Sequence, residues 1–437
     1  MIISINFANM NIKSIFKIIS LSVAFIIFNH TSLFSQKKYN KVSRLKGDIE
    51  VLSSDSLEGR ATGSVGEKKA ADYLIRRMTA MGIKAMGENG SWKQAFSFKP
   101  HPPVQMHQVG DSVKMGMALV KEITGHNVIG YIDRKASKTI VIGAHYDHLG
   151  FGDENSLWSG EKAIHNGADD NASGVAAMLE LARRIQLNPK KYGDNNFLFI
   201  AFSGEEKGLW GSNYFCKHPT IPAESISCMI NMDMVGRLNA EKVLAINGVG
   251  TSPIWMEKLP AIQVDGIKIV TSESGVGPSD HTSFYNTGIP ALHFFTGQHG
   301  DYHKPTDDAS LINFEGVTSV SNYIDQLLLS IASAPKLTFT KTKDESQTAA
   351  ADFKVTLGVV PDYLYDGEGM RIDGTREGRP AAKAGLVQGD VVIKIGDFEV
   401  KDMMSYMEAL GKFQKGETSE LQFIRGGEKK TVSVLWD

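Results

Sequence analysis

The stretch Ala168-Asp169-Asp170-Asn171-Ala172-Ser173-Gly174, running straight into the helical pattern Val175 to Leu187, decides how this chain is read. Carboxylates at a helix start have an ordinary use: they offset the positive end of the helix dipole and cap free N–H groups. Distant segments suggest a second use. His145-Tyr146-Asp147 lies upstream, and Glu205-Glu206, Asp233 and Tyr302-His303 lie downstream. Each falls at or near the end of a predicted strand or in a loop. Together they offer His, Asp, Glu, Asp and His, a donor set suited to two divalent cations.

Outward from this stretch the pattern is α/β. Val128 to Ile132, Thr139 to Ala144, Phe197 to Phe202, Ile226 to Ile230 and Ala291 to Phe295 are strand-like apolar runs, with weaker ones at Val243 to Ile246 and Ile267 to Thr271. Lys37 to Leu52, Gly66 to Met81, Trp210 to Lys217 and Phe314 to Ile331 carry helical spacing. Strands alternating with helices predict a mostly parallel mixed sheet with helices on both faces. Ligand groups in such sheets gather beyond the carboxyl ends of the strands, where the polar clusters fall. His101 to Met117, rich in Pro, Met and Gly, is read as irregular.

Two cations held close together need a shared ligand, and a carboxylate with two oxygens can bridge them. Asp170 suits that task. His145 and Asp233 would complete one site, Glu206 and His303 the other. In the adjacent pair Glu205-Glu206 one carboxylate can bind metal while the other moves a proton; a solvated turn is the plain alternative. Asp147, two residues past His145, points the same way along an extended chain and can hold the imidazole through its second nitrogen. There is no G-x-S-x-G elbow and no H-E-x-x-H helix.

The order Gly143-Ala144-His145-Tyr146-Asp147, Gly167 to Gly174, Gly204-Glu205-Glu206, Asn231-Met232-Asp233-Met234 and Asp301-Tyr302-His303-Lys304-Pro305 resembles the M28 family of di-zinc aminopeptidases. The likeness spans about Lys37 to Pro335, and the loop Leu57-Glu58-Gly59-Arg60 fits it. It implies two Zn²⁺ ions on His145, Asp170, Glu206, Asp233 and His303, with Asp170 bridging, often with a cis peptide to the next residue. It implies Glu205 as general base. Tyr302, beside His303, is a candidate donor to the tetrahedral oxyanion, with aromatic packing as the alternative. Asp280 and His281, within Ser279-Asp280-His281, match the family pattern and are candidates to line the substrate pocket; a helix cap is the alternative. The substrates implied are peptides with a free N-terminus. A carboxypeptidase or glutaminyl cyclase on the same scaffold is the alternative enzyme, and a binding protein with an inert metal site the alternative outside enzymes.

The C-terminal part, 352–437, resembles a bacterial PDZ domain through Thr356-Leu357-Gly358-Val359, Gly378 to Leu386 and Gln388-Gly389-Asp390-Val391-Val392. That likeness implies a C-terminal peptide ligand, with Leu357, Gly358 and Val359 as the carboxylate cradle beside a helix at Met403 to Leu410. Residues 336–351 read as a linker between it and a peptidase domain at 37–335.

The 437 residues suit two or three domains. With 47 basic and 49 acidic residues the net charge is −2, so no strong field points to nucleic acid or an anionic membrane. Lys13 and Lys17 precede an apolar run, Ile18 to Phe28, of signal-peptide length and short for a membrane span. Residues 1–35 are therefore expected to be a leader, and the protein exported, periplasmic or extracellular, without a stable membrane anchor. Cys216 and Cys228 are either one disulfide or two buried thiols.

Overall fold

A computed structural model describes residues 41–99, 104–109, 112–117, 122–152, 155–342, 355–361, 365, 367–375, 378–401 and 403–436. The expected leader and residues 343–351 of the expected linker lie outside the described residues.

The expected mixed sheet is present and has nine strands. In chain order they are β1 (Lys84–Ala85), β2 (Lys93–Phe98), β5 (Ile123–Ile132), β6 (Thr139–His145), β7 (Asn196–Phe202), β8 (Ile226–Met232), β9 (Val243–Asn247), β10 (Lys268–Ser272) and β11 (Ala291–Phe295). The numbers β3 and β4 belong to a separate hairpin, Val104–Val109 and Ser112–Met117. Across the sheet the order is β1-β5-β7-β6-β8-β11-β9-β10, with β2 also paired to β5. The four central strands β7, β6, β8 and β11 run parallel, and antiparallel pairs flank them.

Every residue of β6, β7, β8 and β11 is buried, as expected of strands covered on both faces. Their side chains alternate between two cores. Ile140, Ile142, Phe197 and Phe199 join helices α1 (residues 41–52), α2 (Val65–Ala80), α3 (Gly174–Leu187) and α7 (Phe314–Ser330). Val141, Leu198, Ile200 and Met229 face the opposite way, with Phe215 of α4 (Trp210–Lys217) and Phe284 of α6 (His281–Tyr285). A short α5 (Pro253–Lys258) completes the domain.

The reading of His101 to Met117 as irregular is corrected: it holds the antiparallel hairpin β3–β4, with Val109 opposite Ser112. The two residues between, Gly110-Asp111, have the composition of a short hairpin loop; Pro102 and Pro103 only precede the first strand. Cys216 and Cys228 are free thiols, so the disulfide alternative is not realised.

The C-terminal domain is a six-stranded antiparallel sheet. Its strands are β12 (Val359–Pro361), β13 (Met370–Thr375), β14 (Val391–Ile395), β15 (Phe398–Glu399), β16 (Thr418–Arg425) and β17 (Glu428–Leu435), with α8 (Pro380–Lys383) and α9 (Met403–Leu410). It buries a core of its own around Leu357, Ile372, Val392, Leu421 and Trp436. Among the described residues no helix is long and apolar enough to cross a membrane.

Candidate metal centre

The parallel strands deliver the site at their carboxyl ends. β6 ends on His145, β8 runs into Asp233, and Ser203-Gly204 carries β7 into Glu205 and Glu206. The loop after β11 brings Tyr302 and His303. The turn Ala168–Ser173 precedes α3, with Asp170 and Asn171 out of helical geometry and a cis peptide between them. Gly167, at φ 55°, enters it: a Cβ there would strike the Asp170 carbonyl and the His148 ring.

The two uses of this stretch fall to different side chains. Asn171 caps α3, its Oδ1 accepting from Gly174 N–H at 3.0 Å and from Met234 N–H at 3.2 Å. Asp169 Oδ1 accepts from Gly236 N–H at 2.6 Å and Ser173 Oγ at 2.9 Å. Asp307 accepts the N–H groups of both Asp169 and Asp170, at 2.9 and 3.0 Å. The carboxylate of Asp170 is left facing the strand ends.

There its two oxygens part. Oδ1 lies 3.2 Å from His145 Nε2, and Oδ2 lies 3.4 Å from His303 Nε2. Asp233 Oδ1 is 3.2 Å from the same His145 nitrogen, and Glu206 Oε2 is 3.2 Å from the same His303 nitrogen. Glu205 Oε2 stands 4.0 Å from His145 Nε2. Each imidazole spends its other nitrogen on a carbonyl: His145 Nδ1 on Asp147 O at 3.2 Å, His303 Nδ1 on Asn155 O at 2.8 Å. Carbonyls only accept, so each Nδ1 carries the proton. Each Nε2 faces two carboxylates, so the position between them draws a positive charge: a second proton on the ring, or a metal cation that leaves the ring neutral. A carboxylate- and imidazole-rich donor set of this kind fits zinc.

The protonation pattern has the same origin. Burial opposes charging His145, but Asp233, Glu205 and Asp170 outweigh it and raise its pKa well above the usual value. Burial likewise opposes His303, and Glu206 and Asp170 lift it to about 11. Burial pushes Glu205 well above an ordinary carboxyl; His145 opposes, and Asp233, Glu206 and Asp280 add to the rise. Burial also raises Asp280, to about 7. Asp170 moves the other way: burial is overcome by His148, His145 and His303, and its pKa falls well below the usual range.

The remaining expected residues are placed as follows. The Asp147 carboxylate is 3.8 Å from His145 Nδ1, so it is the main-chain carbonyl of Asp147 that stands at hydrogen-bond distance. Its own oxygens take Thr62 Oγ1 at 2.7 Å and Glu205 N–H at 3.3 Å. Tyr302 lies on the cavity wall beside Asp170, Glu205 and Asp233, its ring stacked on His303 at 3.8 Å. Burial and the surrounding carboxylates keep its phenol protonated, with a pKa well above the usual one. Asp280 and His281 are fully buried behind that wall rather than on it, and Asp280 makes no side-chain cap on α6. In the C-terminal domain Leu357 is in the core, its carbonyl accepting from Ala381 N–H at 2.8 Å. Gly358 has φ 71° and donates its N–H to Thr356 Oγ1 at 3.0 Å, and Val359 opens β12.

Three contributors escaped the sequence reading. His148 is buried, with Nδ1 2.6 Å from Glu206 Oε1; His148, Asp170 and Glu206 offer ligand atoms within 4.8 Å of one another, as do His145, Glu205 and Asp233. Arg60 lies buried beneath the site and donates to the carbonyls of Tyr146, Asn166, Gly167 and Leu52. Burial lowers its pKa to about 10, which leaves it charged. Asp307 holds the Asp169–Asp170 backbone as described. His148 gave a signal in sequence as a second imidazole in a short span, and Arg60 one through the loop Leu57 to Arg60, but neither signal named a role.

Residues 127–328 match the model of peptidase family M28, and residues 343–435 that of the PDZ domain. A probable leucine aminopeptidase of Arthroderma otae is 30% identical over 223 residues, covering 48% of this chain and 58% of that protein. Aminopeptidase YwaD of Bacillus subtilis is 30% identical over 215 residues, covering 46% of this chain and 43% of that protein. The chain thus spans about half the length of these relatives. Among solved structures, a Zn-dependent exopeptidase from Parabacteroides distasonis has a TM-score of 0.52 at 18% identity, covering 66% of this chain and 97% of the other. An aminopeptidase from Aneurinibacillus sp. strain AM-1 has 0.51 at 21% identity, covering 69% and 95%. These two likenesses bear on the fold.

Proposed function

On the premise that residues 127–328 are a peptidase family M28 domain and residues 343–435 a PDZ domain, we propose that the protein is a di-zinc aminopeptidase. The observation that carries this is the parting of the Asp170 oxygens, one toward His145 and one toward His303, each imidazole having its far nitrogen engaged on a carbonyl. His145 and Asp233 would hold one zinc, Glu206 and His303 the other, with Asp170 offering an oxygen to each. His148 orients Glu206 by donating to its second oxygen. Bound there, the two ions supply Lewis acidity to the scissile carbonyl and lower the pKa of an attacking water.

The chain's own groups do the rest. Glu205 takes the water's proton and returns it to the leaving amine; burial suits its carboxyl to both tasks by raising its pKa. Asp147 fixes His145 through its carbonyl and braces the Glu205 backbone through its carboxylate. Tyr302 O–H donates to the oxyanion of the tetrahedral intermediate. The substrate's terminal ammonium is met by carboxylates at the cleft. Peptides with a free N-terminus are therefore the substrates, which sets this reading apart from a carboxypeptidase or a glutaminyl cyclase.

The PDZ domain takes an extended C-terminal peptide along β12, which is an edge strand of its sheet, with Leu357, Gly358 and Val359 at the carboxylate. The protein acts after export, as Lys13, Lys17 and the apolar run behind them suggest. The test is release of residues from free and N-acetylated peptides by zinc-loaded protein. Cleavage of free peptides alone, abolished by chelator, is expected; equal cleavage of the blocked peptides rejects the aminopeptidase reading.

A further inference from the structure

The cavity beside the metal centre has a volume of about 100 Å³. Asp170, Glu205 and Asp233 line it, and so do Met234, Asn247, His293, Phe295 and Gln298. Met234 and Phe295 are apolar, as a pocket for an ordinary hydrophobic side chain requires. The other three are not. Two of them arise from register: His293 of β11 is paired directly with Asn247 of β9, so both project on one face of the sheet, while Gln298 lies in the loop that follows β11.

His293 is 3% exposed and rigidly held, its ring stacked on His281 at 4.7 Å and on Phe295 at 5.8 Å. Asn247 Nδ2 donates to His293 Nδ1 at 3.3 Å. Burial pushes the ring's pKa down to about 4 against the pull of Asp233, so the imidazole is neutral and its one proton sits on Nε2. Among the described residues neither that buried Nε2–H nor the buried Gln298 Oε1 has a partner. The two residues that carry this unpaired donor and acceptor both line one small cavity, which the candidate zinc ligands Asp170, Asp233 and His303 line as well. Buried polar groups are rarely left this way unless a ligand or water meets them.

Resting on the aminopeptidase reading above, we propose that this cavity receives the side chain of the substrate's N-terminal residue and selects an uncharged polar one, a hydroxyl or carboxamide that accepts from His293 Nε2–H and donates to Gln298 Oε1. The cavity has room for threonine or asparagine as it has for valine or leucine, so polarity rather than size is what it can select by. Valine or leucine fills the same space but leaves both polar groups without partners. Sites built to hydrogen-bond a substrate group reject the analogue that lacks it far more strongly than apolar pockets sort by size.

Isosteric pairs isolate the effect. The zinc-loaded full chain is assayed on amino-acid p-nitroanilides of threonine against valine and asparagine against leucine. We expect kcat/KM to favour the polar member of each pair by at least about tenfold. His293→Phe should erase or reverse both ratios while cleavage of valine and leucine amides persists. Gln298→Met, at a residue less deeply buried, should lower the asparagine-to-leucine ratio, and supplies the test if the His293 variant does not fold. Wild-type preference for valine and leucine overturns the proposal, as do ratios unchanged in the variants. Failure of the zinc-loaded enzyme to cleave any of the four overturns the aminopeptidase reading, and the inference with it.

Discussion

Glu180 and Asp170 are buried carboxylates on one helix and its entrance, and their surroundings are opposite. Glu180, within α3, is gripped by three guanidinium groups: Arg183 at 2.9 Å, Arg184 at 3.0 Å and Arg44 at 3.2 Å. Its charge is closed inside the protein. Burial would raise its pKa, but the arginines prevail and draw it down to about 2. Asp170 stands among Glu205, Glu206 and Asp233 with imidazoles in reach, and the nearest permanent positive charge named at the site, Arg60, spends its donors on carbonyls. The first cluster is complete as folded, whereas the second balances its carboxylates with imidazoles that can give up their protons, and on the reading proposed above it is metal ions that complete it. Stability resides in the one and chemistry in the other.

The sharpest way to break the comparison is to remove its bridging member. Asp170→Ala should lose both metals and with them hydrolysis; elemental analysis finding two zinc ions per chain in that variant would remove the bridging assignment. Glu205→Gln should be milder and more selective. Turnover falls by about 10²–10⁴, the usual worth of a positioned acid/base, while zinc content stays near wild type; near-wild-type turnover rejects the role.

Glu180→Gln probes the other cluster. Because the folded pKa of Glu180 is depressed from 4.5 to about 2, its stabilisation is fully present above the unfolded value and is lost as pH falls through the folded one. The variant should be less stable by about 2–3 kcal/mol at pH 7, and the gap should close between about pH 4.5 and pH 2. Denaturation of both proteins across that range checks it, and a gap independent of pH contradicts it. Smallest of all is the exposed pair Lys69–Glu58, 3.0 Å apart with both side chains more than a third exposed. Lys69→Ala should cost no more than about 1 kcal/mol, and less in high salt.

Much of the catalytic half was readable because its signals are local. Thr139 to Ala144 is rich in β-branched residues and ends on His145, so a buried strand delivering a histidine to the sheet's edge could be read directly. The same holds for Phe197 to Phe202 ahead of Glu205-Glu206. Asp170 was singled out as the ligand, but Asn171 was not seen as the cap, because Asp and Asn both serve at a helix start and only their partners distinguish them. Arg60, Asp307 and His148 were missed for a related reason. Their partners lie far away in sequence, 107 positions in the case of Arg60 and Gly167, and no periodicity marks such a contact. The polar face of His293 and Asn247 was equally hidden: each reads as a strand residue, and only the cross-strand register places them side by side.

The central claim is that Asp170 is shared between two cations, and diffraction from zinc-loaded crystals at the zinc absorption edge tests it most directly. Two anomalous peaks about 3.5–4 Å apart, one beside each Asp170 oxygen and flanked by His145 and His303, are the result expected. A single peak, or two that do not share Asp170, would contradict it.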